Sequence, residues 1–355
     1  MRIFGVGSSE AAQTAIGTST ATSAPTVRTR SIHPSAPIPV QGAPIGEALR
    51  VPLGESGLSV FPLILGGAEF GWNVDIAASH SILDRYRAFG GNIVHTADSH
   101  ASGRSEHIIG RWITTRSARD DIVVATRVAG SVDHPGLGSV NLVRAVEASL
   151  QRLETDRIDL LYLDGGADLR TPLDETLATA EWLVESGKVR AVGAFGFTPE
   201  RLVEARILSS AGYPHLTVLD APYNVLRRKD FEGDLRLVAG AQGMAVTPSH
   251  ALQHGFLSGR YRSRPRKGDN TGVRRAQAVG SLNRRGNRIL RALDTVAGDV
   301  DVPPAAVAVA WLLAQKPVVA PIVNVFAPDQ VDELVRGIGV RLSRAQLSEL
   351  ARAAE

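Results

Sequence analysis

Residues 95–100 read His-Thr-Ala-Asp-Ser-His, directly after the apolar run Asn92-Ile93-Val94. Two imidazoles and a carboxylate therefore crowd one strand end. Imidazole titrates near neutral pH, so either histidine can take or give a proton under ordinary conditions. Further along, Arg127 follows Ala-Thr in "DIVVATRV", and Asp164 closes "DLLYLD". A guanidinium stabilises negative charge that develops on a carbonyl or enolate oxygen. A carboxylate beside an imidazole favours one tautomer and orients the ring. His95, His100, Arg127 and Asp164 are thus candidate catalytic groups for proton transfer, with Asp164 expected to be held ionised by Arg127. His95, Asp98, His100 and Asp164 include ligand types that suit a divalent ion. Arg127 would repel a cation there, so no metal is expected.

Groups so far apart in the chain need a frame that brings strand ends together. Short apolar runs alternate with amphipathic stretches from about residue 50 onward. The expected strands are 63–67, 92–97, 121–128, 159–163, 189–194, 216–221, 243–247 and 318–323. Between them Leu142, Val146, Leu150 and Leu153 recur at helical spacing. "TPLDETLATAEWLVESGK" is expected to open on a Thr171 cap with proline in the first turn, and to close at Gly187. Eight strands alternating with helices predict a parallel α/β fold, and eight is the number that closes a (β/α)8 TIM barrel. Chemistry in that fold sits at the C-terminal strand ends. His95, Arg127, Asp164, Phe195 and Asp220 all fall there.

Composition narrows the function further. The 355-residue chain has no cysteine, which excludes thiol catalysis and disulfides. No apolar run reaches membrane-spanning length and no secretory leader opens the chain, so a cytoplasmic location with no membrane partner is expected. A net charge of +3 is too small to argue for nucleic acid. Residues 1–48 are rich in Ser, Thr, Ala and Pro with little periodicity, and are expected to form a disordered tail ahead of a barrel over 49–355. Between Arg260 and Arg291 eleven cationic residues face one acid, Asp269. Such a run reads as a solvated loop, or as a dock for an acidic or phosphate-bearing partner.

The strand ends also carry a family resemblance. "LGESGLSVFPLILGG", "GGNIVHTADSHASGRSEHIIGRWI", "RDDIVVATRV", "SLQRLETDRIDLLYLD", "WLVESGKVRAVGAFGF", "APYNVLRR" and "HGFLSGRY" resemble the aldo-keto reductases, in order, over 50–353. The resemblance implies hydride transfer from NADPH to a carbonyl, with Asp, Tyr, Lys and His as the catalytic set. His95 stands at the Asp position, His100 at the Tyr, Arg127 at the Lys and Asp164 at the His. The resemblance also implies a nicotinamide clamp whose Gln position holds Asp220. Its pyrophosphate turn holds Leu252, its adenine contacts fall on Gln330 and Glu333, and Phe326 stands where a cation would meet a 2′-phosphate. Trp72 falls in a loop the family uses for substrate contacts.

Decay would tend to leave Ala, Gly or Ser at a dead site, yet all four catalytic positions hold ionisable groups. The preferred expectation is therefore a repurposed barrel that needs no cofactor. It would run acid/base chemistry (isomerisation, elimination, cyclisation or hydrolysis) on a small carbonyl-containing molecule. The first alternative is an oxidoreductase that uses NADP or NAD with His100 as the proton donor. The second is a non-catalytic binding protein.

Overall fold

A computed structural model describes residues 49–263 and 273–355. The tail expected over 1–48 and the middle of the basic segment lie outside the described residues. A short hairpin comes first, β1 (Val51–Pro52) antiparallel to β2 (Ser59–Val60). Eight parallel strands follow: β3 (Ile64–Gly66), β4 (Ile93–Ala97), β5 (Val123–Val128), β6 (Ile158–Asp164), β7 (Val189–Phe195), β8 (Leu216–Asp220), β9 (Ala245–Val246) and β10 (Ile322–Asn324). From β3 to β9 each strand pairs with the next in chain order, and β10 pairs with β3. The remaining gap is bridged by backbone bonds: Val246 donates to Pro317 at 3.2 Å, Val319 to Val246 at 2.9 Å and Ile322 to Pro248 at 2.8 Å. The α/β (β/α)8 barrel expected from the alternation is the fold.

Eleven helices are present among the described residues. Those that bear on the site are α1 (Ile76–Ala88), α2 (Arg104–Arg116), α3 (Ser139–Leu153), α4 (Leu173–Glu185), α8 (Arg284–Val300) and α10 (Pro328–Gly339). Local sequence explains several starts. The Asp75 carboxylate accepts from Ala78 N at 2.8 Å at the head of α1, and Asn283 does the same for Gly286 N at 2.9 Å at the head of α8. The Thr171 cap does not form. Its hydroxyl donates to Asp168 Oδ2 at 2.6 Å instead, and α4 begins one residue later than expected, after Pro172.

The eighth strand also differs from expectation. Val318–Pro321 is irregular, and regular pairing begins only at Ile322. Pro321 has no N–H to give a ladder, although its carbonyl accepts from Ile64 N at 2.9 Å.

Pleat alternation sorts the strand residues into two cores. Ile64, Ile93, Ala125, Leu160, Tyr162, Ala191, Val218, Ala245 and Ile322 fill the barrel interior. Val94, Val124, Leu161, Leu163, Val192, Leu219 and Val246 pack outward against the helices. Leu53, Leu58 and Val60 of the hairpin join the interior group and plug the barrel floor. Gly54 makes this seating possible. Its φ is +58°, and a Cβ there would stand 2.7 Å from the Thr217 carbonyl oxygen. With the floor closed, a ligand can enter the barrel only from the C-terminal mouth.

Candidate functional site

Side chains two residues apart on a strand share a face. The interior residues Ile93, Ala125, Leu160, Ala191 and Val218 therefore predict which residues reach the mouth. They are His95, Arg127, Tyr162 followed by Asp164, Phe195, and Asp220. Register agrees, since Arg127 pairs with Tyr162, Asp164 with Phe195, and Phe195 with Asp220.

A cavity of about 860 Å³ opens over these strand ends. His95, His100 and Arg127 line its inner part, while Asp220, Leu252, Gln330 and Glu333 line the arm toward α10. Asp164 is the one candidate that does not line it. Its Oδ2 lies 3.5 Å from Arg127 Nε, and its Oδ1 accepts from Gly166 N and Ala167 N at 3.1 Å each. It braces the guanidinium from behind and is not turned to His95. Burial pushes the Asp164 carboxyl above the usual carboxylate range, with Arg127 and the two N–H groups opposing. Desolvation thus outweighs the single long ion pair that was expected to keep it ionised.

His95 is only 5% exposed. Its ring stands edge-on to Tyr162, with centroids 5.5 Å apart, and to His100, at 6.1 Å. Its Nε2 is enclosed and has no hydrogen-bond partner. Burial, with His100 and Arg127 adding repulsion, drives its pKa well below the usual histidine value, so the ring is neutral. A buried, unpaired ring nitrogen in a cavity wall is costly unless a ligand satisfies it.

The residue behind His95 was not singled out from sequence. Tyr162 lies wholly inside, and its hydroxyl shares a 2.8 Å hydrogen bond with Thr247 Oγ1. Its place two residues before Asp164 was the available signal. Gly193 on β7 leaves room for this ring, because a Cβ there would fall 2.9 Å from it.

His100 follows β4 on a tight turn. Ala101, Ser102 and Gly103 all have positive φ before α2 begins. Two L-residues in that region are strained unless the surroundings enforce it. The enforcement comes from outward-facing polar groups. Ser105 Oγ donates to the Gly67 carbonyl at 2.7 Å and lies 2.8 Å from Thr96 Oγ1. The fully buried Glu106 accepts from Thr126 Oγ1 and from Arg152 Nε, both at 2.7 Å. These bonds tie the turn to β3, β4, β5 and α3.

Arg127 packs its guanidinium 4.0 Å from the centroid of the Phe195 ring. Asp220 is 1% exposed, and its Oδ1 accepts from Ser249 N at 3.2 Å. The Ser249 hydroxyl sits near enough to influence the carboxyl, yet neither Asp220 Oδ2 nor Ser249 Oγ reaches a partner in hydrogen-bond geometry. Burial pushes the Asp220 pKa up to about 6, against the pull of Ser249 and Arg127.

The outer arm carries aromatic and charged groups. Trp72 and Phe326 are exposed on its wall. Gln330 Oε1 accepts from Phe326 N at 2.9 Å. Glu333 is bound by Arg260 at 2.8 Å, and Arg262 of the basic segment pairs with Asp294 at 2.6 Å. Those two cations are matched within the chain. Arg275 also lines the wall. Asp98, weighed as a metal ligand, faces away from the cavity wall and accepts from Ala129 N at 3.1 Å. Among the described residues, no three His, Asp or Glu side chains form a group that could hold a metal ion.

Residues 62–355 match the Aldo/keto reductase family. The chain is 30% identical to the aldo-keto reductase ausK of Emericella nidulans, over 91% of this chain and 85% of that protein. It is 29% identical to norsolorinic acid reductase B of Aspergillus parasiticus, over 84% and 82%. It is 27% identical to aryl-alcohol dehydrogenase GME11368 of Pestalotiopsis microspora, over 82% and 78%. The fold is a (β/α)8 barrel, and the chain belongs to the aldo/keto reductase family. Among the described residues no single helix is long and apolar enough to cross a membrane.

Proposed function

We propose that this protein is an NAD(P)H-dependent oxidoreductase that interconverts a carbonyl and an alcohol on a small, flat, partly apolar molecule through an altered proton relay. The relatives named above are reductases and a dehydrogenase, which favours redox chemistry over the cofactor-free acid/base reading preferred from sequence. The observation that carries the proposal is the single cavity that joins His95, His100 and Arg127 to the arm bounded by Ser249, Gln330 and Glu333.

The residues of that arm fit a dinucleotide. Asp220 Oδ2 and Ser249 Oγ are enclosed and unpaired, and together they offer an acceptor and a donor to a carboxamide. Arg275 on the wall suits a phosphate oxygen, and it belongs to the basic segment 260–291 that was expected to meet a phosphate-bearing partner. Phe326 offers a flat apolar face to an adenine. A dinucleotide held there would supply or accept the hydride.

This chain's own groups manage the oxygen and its proton. Arg127 is flattened on Phe195 and backed by Asp164, and it meets the negative charge on the oxygen. Neutral His95 uses Nε2 to hydrogen-bond the same oxygen. His100, at the open side of the ring pair, gives the proton to the alkoxide or takes it from the alcohol. Trp72 covers the substrate's flat body. A cytoplasmic location, where reduced dinucleotides are available, suits this chemistry.

Titrating NADPH and NADH into the purified protein while following nicotinamide fluorescence is the test. Micromolar binding with turnover of aromatic aldehydes supports the reading, and loss of turnover with retained binding in His100→Ala assigns the proton. No dinucleotide binding at millimolar concentration would remove it and return the acid/base reading to first place.

A further inference from the structure

We propose that Asp220 makes the barrel mouth bind the oxidised, cationic nicotinamide ring in preference to the neutral reduced one, so that the protein holds NAD(P)+ more tightly than NAD(P)H. The inference rests on the dinucleotide binding proposed above.

Hydride transfer requires the nicotinamide ring and the substrate carbon to touch. The substrate oxygen must also reach His95, His100 or Arg127. The ring is therefore confined to the same mouth, whose wall at the strand ends includes Phe195, Asp220, Ser249 and Asn324. The charges there do not cancel. Arg127 is matched by Asp164 at 3.5 Å, and His95 is kept neutral by burial. Asp220 feels Arg127 only through space, with 1% of its surface exposed and one carboxylate oxygen that reaches no hydrogen-bond partner. A negative charge that is only partly compensated inside a poorly hydrated wall attracts a cation strongly, because little water screens it. The oxidised nicotinamide ring carries a positive charge and the reduced ring carries none. One side chain thus distinguishes the two forms of one ligand without any difference in their shape.

The preference depends on Asp220 being ionised, so it grows as pH rises through about 6. The charged and titratable groups that act on Asp220 are Arg127, Asp164 and Tyr162, while His95, His100, His250 and His254 lie elsewhere on the cavity wall. Any positive charge on His100, His250 or His254 would oppose a cationic ring. The Asn variant separates their effect from that of Asp220.

Isothermal titration of NADP+, NADPH, NAD+ and NADH into wild type and Asp220→Asn at pH 5, 6.5 and 8 tests the inference. At pH 8 the wild type is expected to bind the oxidised form about tenfold or more tightly than the reduced form. The ratio should shrink several-fold in Asp220→Asn and in the wild type at pH 5. Binding of both forms with no oxidised preference at pH 8, or an unchanged ratio in Asp220→Asn, overturns the inference and leaves the oxidoreductase reading standing. If Asp220→Asn does not fold, a wild-type ratio that stays constant from pH 5 to 8 overturns it equally. Failure of every dinucleotide to bind removes both.

Discussion

The Arg127 guanidinium lies 4.0 Å from the Phe195 ring centroid, so a cation on β5 is laid flat against an aromatic ring two strands away. Such contacts contribute about 0.5–2 kcal/mol, and this one also fixes the direction of the guanidinium donors. Phe195→Leu keeps an apolar surface but removes the ring face. Its kcat/KM should fall about 3-fold to 30-fold, with little change in thermal stability. Arg127→Lys keeps the charge but not the plane, and it should lose more. Steady-state kinetics on both variants, beside thermal melts, check this. A Phe195→Leu variant with full activity would show that the stacking is incidental.

The strand ends were legible in the sequence because one rule governs them. Alternation puts His95 on the face of Ile93, Arg127 on that of Ala125, and Asp220 on that of Val218, and eight strands bring those faces to one mouth. What alternation cannot supply is the direction of a side chain once it arrives. Asp164 has the right parity, but two backbone N–H groups of its own turn draw it away from the cavity. The missing partner at His95 Nε2 was equally hidden, since it depends on how Tyr162, His100 and Arg127 pack around one ring. The eighth strand slipped because Pro321 interrupts an apolar run that otherwise reads as continuous.

His95 should make stability depend on pH with a definite sign. Its folded pKa lies well below the usual 6.5, so below pH 6.5 the unfolded chain takes up a proton that the folded chain refuses. Stability contributed by neutral His95 is present above pH 6.5 and is lost as pH falls, by up to about 1.4 kcal/mol per pH unit. Urea unfolding of wild type and His95→Phe at pH 5 and 7 isolates this term, because other titrating groups largely cancel in the difference. The gap between the two proteins should shift in favour of the variant at pH 5. A gap that does not move between these pH values would mean that His95 is protonated in the fold.

Asp220 acts in the opposite sense. Its pKa is raised to about 6 in the fold from an ordinary 3.8, so the folded chain holds the proton more firmly between those values. Stability is lost as pH rises through that window. Asp220→Asn keeps an acceptor for Ser249 N and removes the buried charge. It should therefore stabilise the protein at pH 8, on the order of 1–3 kcal/mol, and show no gain at pH 4. Melting curves at the two values decide it. Function would suffer where stability improves, as expected of a charge retained for a ligand.

Removing the brace behind Arg127 should harm both fold and activity. Asp164→Ala leaves a mostly buried guanidinium without its partner and removes the side-chain acceptor of Gly166 N, at a cost of about 2–4 kcal/mol. Asp164→Asn keeps an oxygen for that N–H group and should cost less stability while still releasing Arg127. If the two variants lose stability equally but differ little from wild type in kcat/KM, Asp164 serves only its turn. If Asp164→Asn folds well and turns over poorly, the carboxylate works through Arg127.

One constraint on the site is the absence of a side chain. A Cβ on Gly193 would stand 2.9 Å from the Tyr162 ring and 3.0 Å from the Val218 carbonyl oxygen. The backbone atom cannot move without disturbing β8, so the ring must. Tyr162 would then lose its place against His95, 5.5 Å away, and its bond to Thr247. Gly193→Ala should destabilise the barrel by about 1–3 kcal/mol through overpacking, and it should lower activity because His95 loses its support. Tyr162→Phe removes only the hydroxyl and should cost about 1 kcal/mol with His95 still held. Activity measured for the two side by side separates the ring's packing role from its hydrogen bond. A Gly193→Ala protein that melts early but turns over normally would show that His95 does not need the Tyr162 ring.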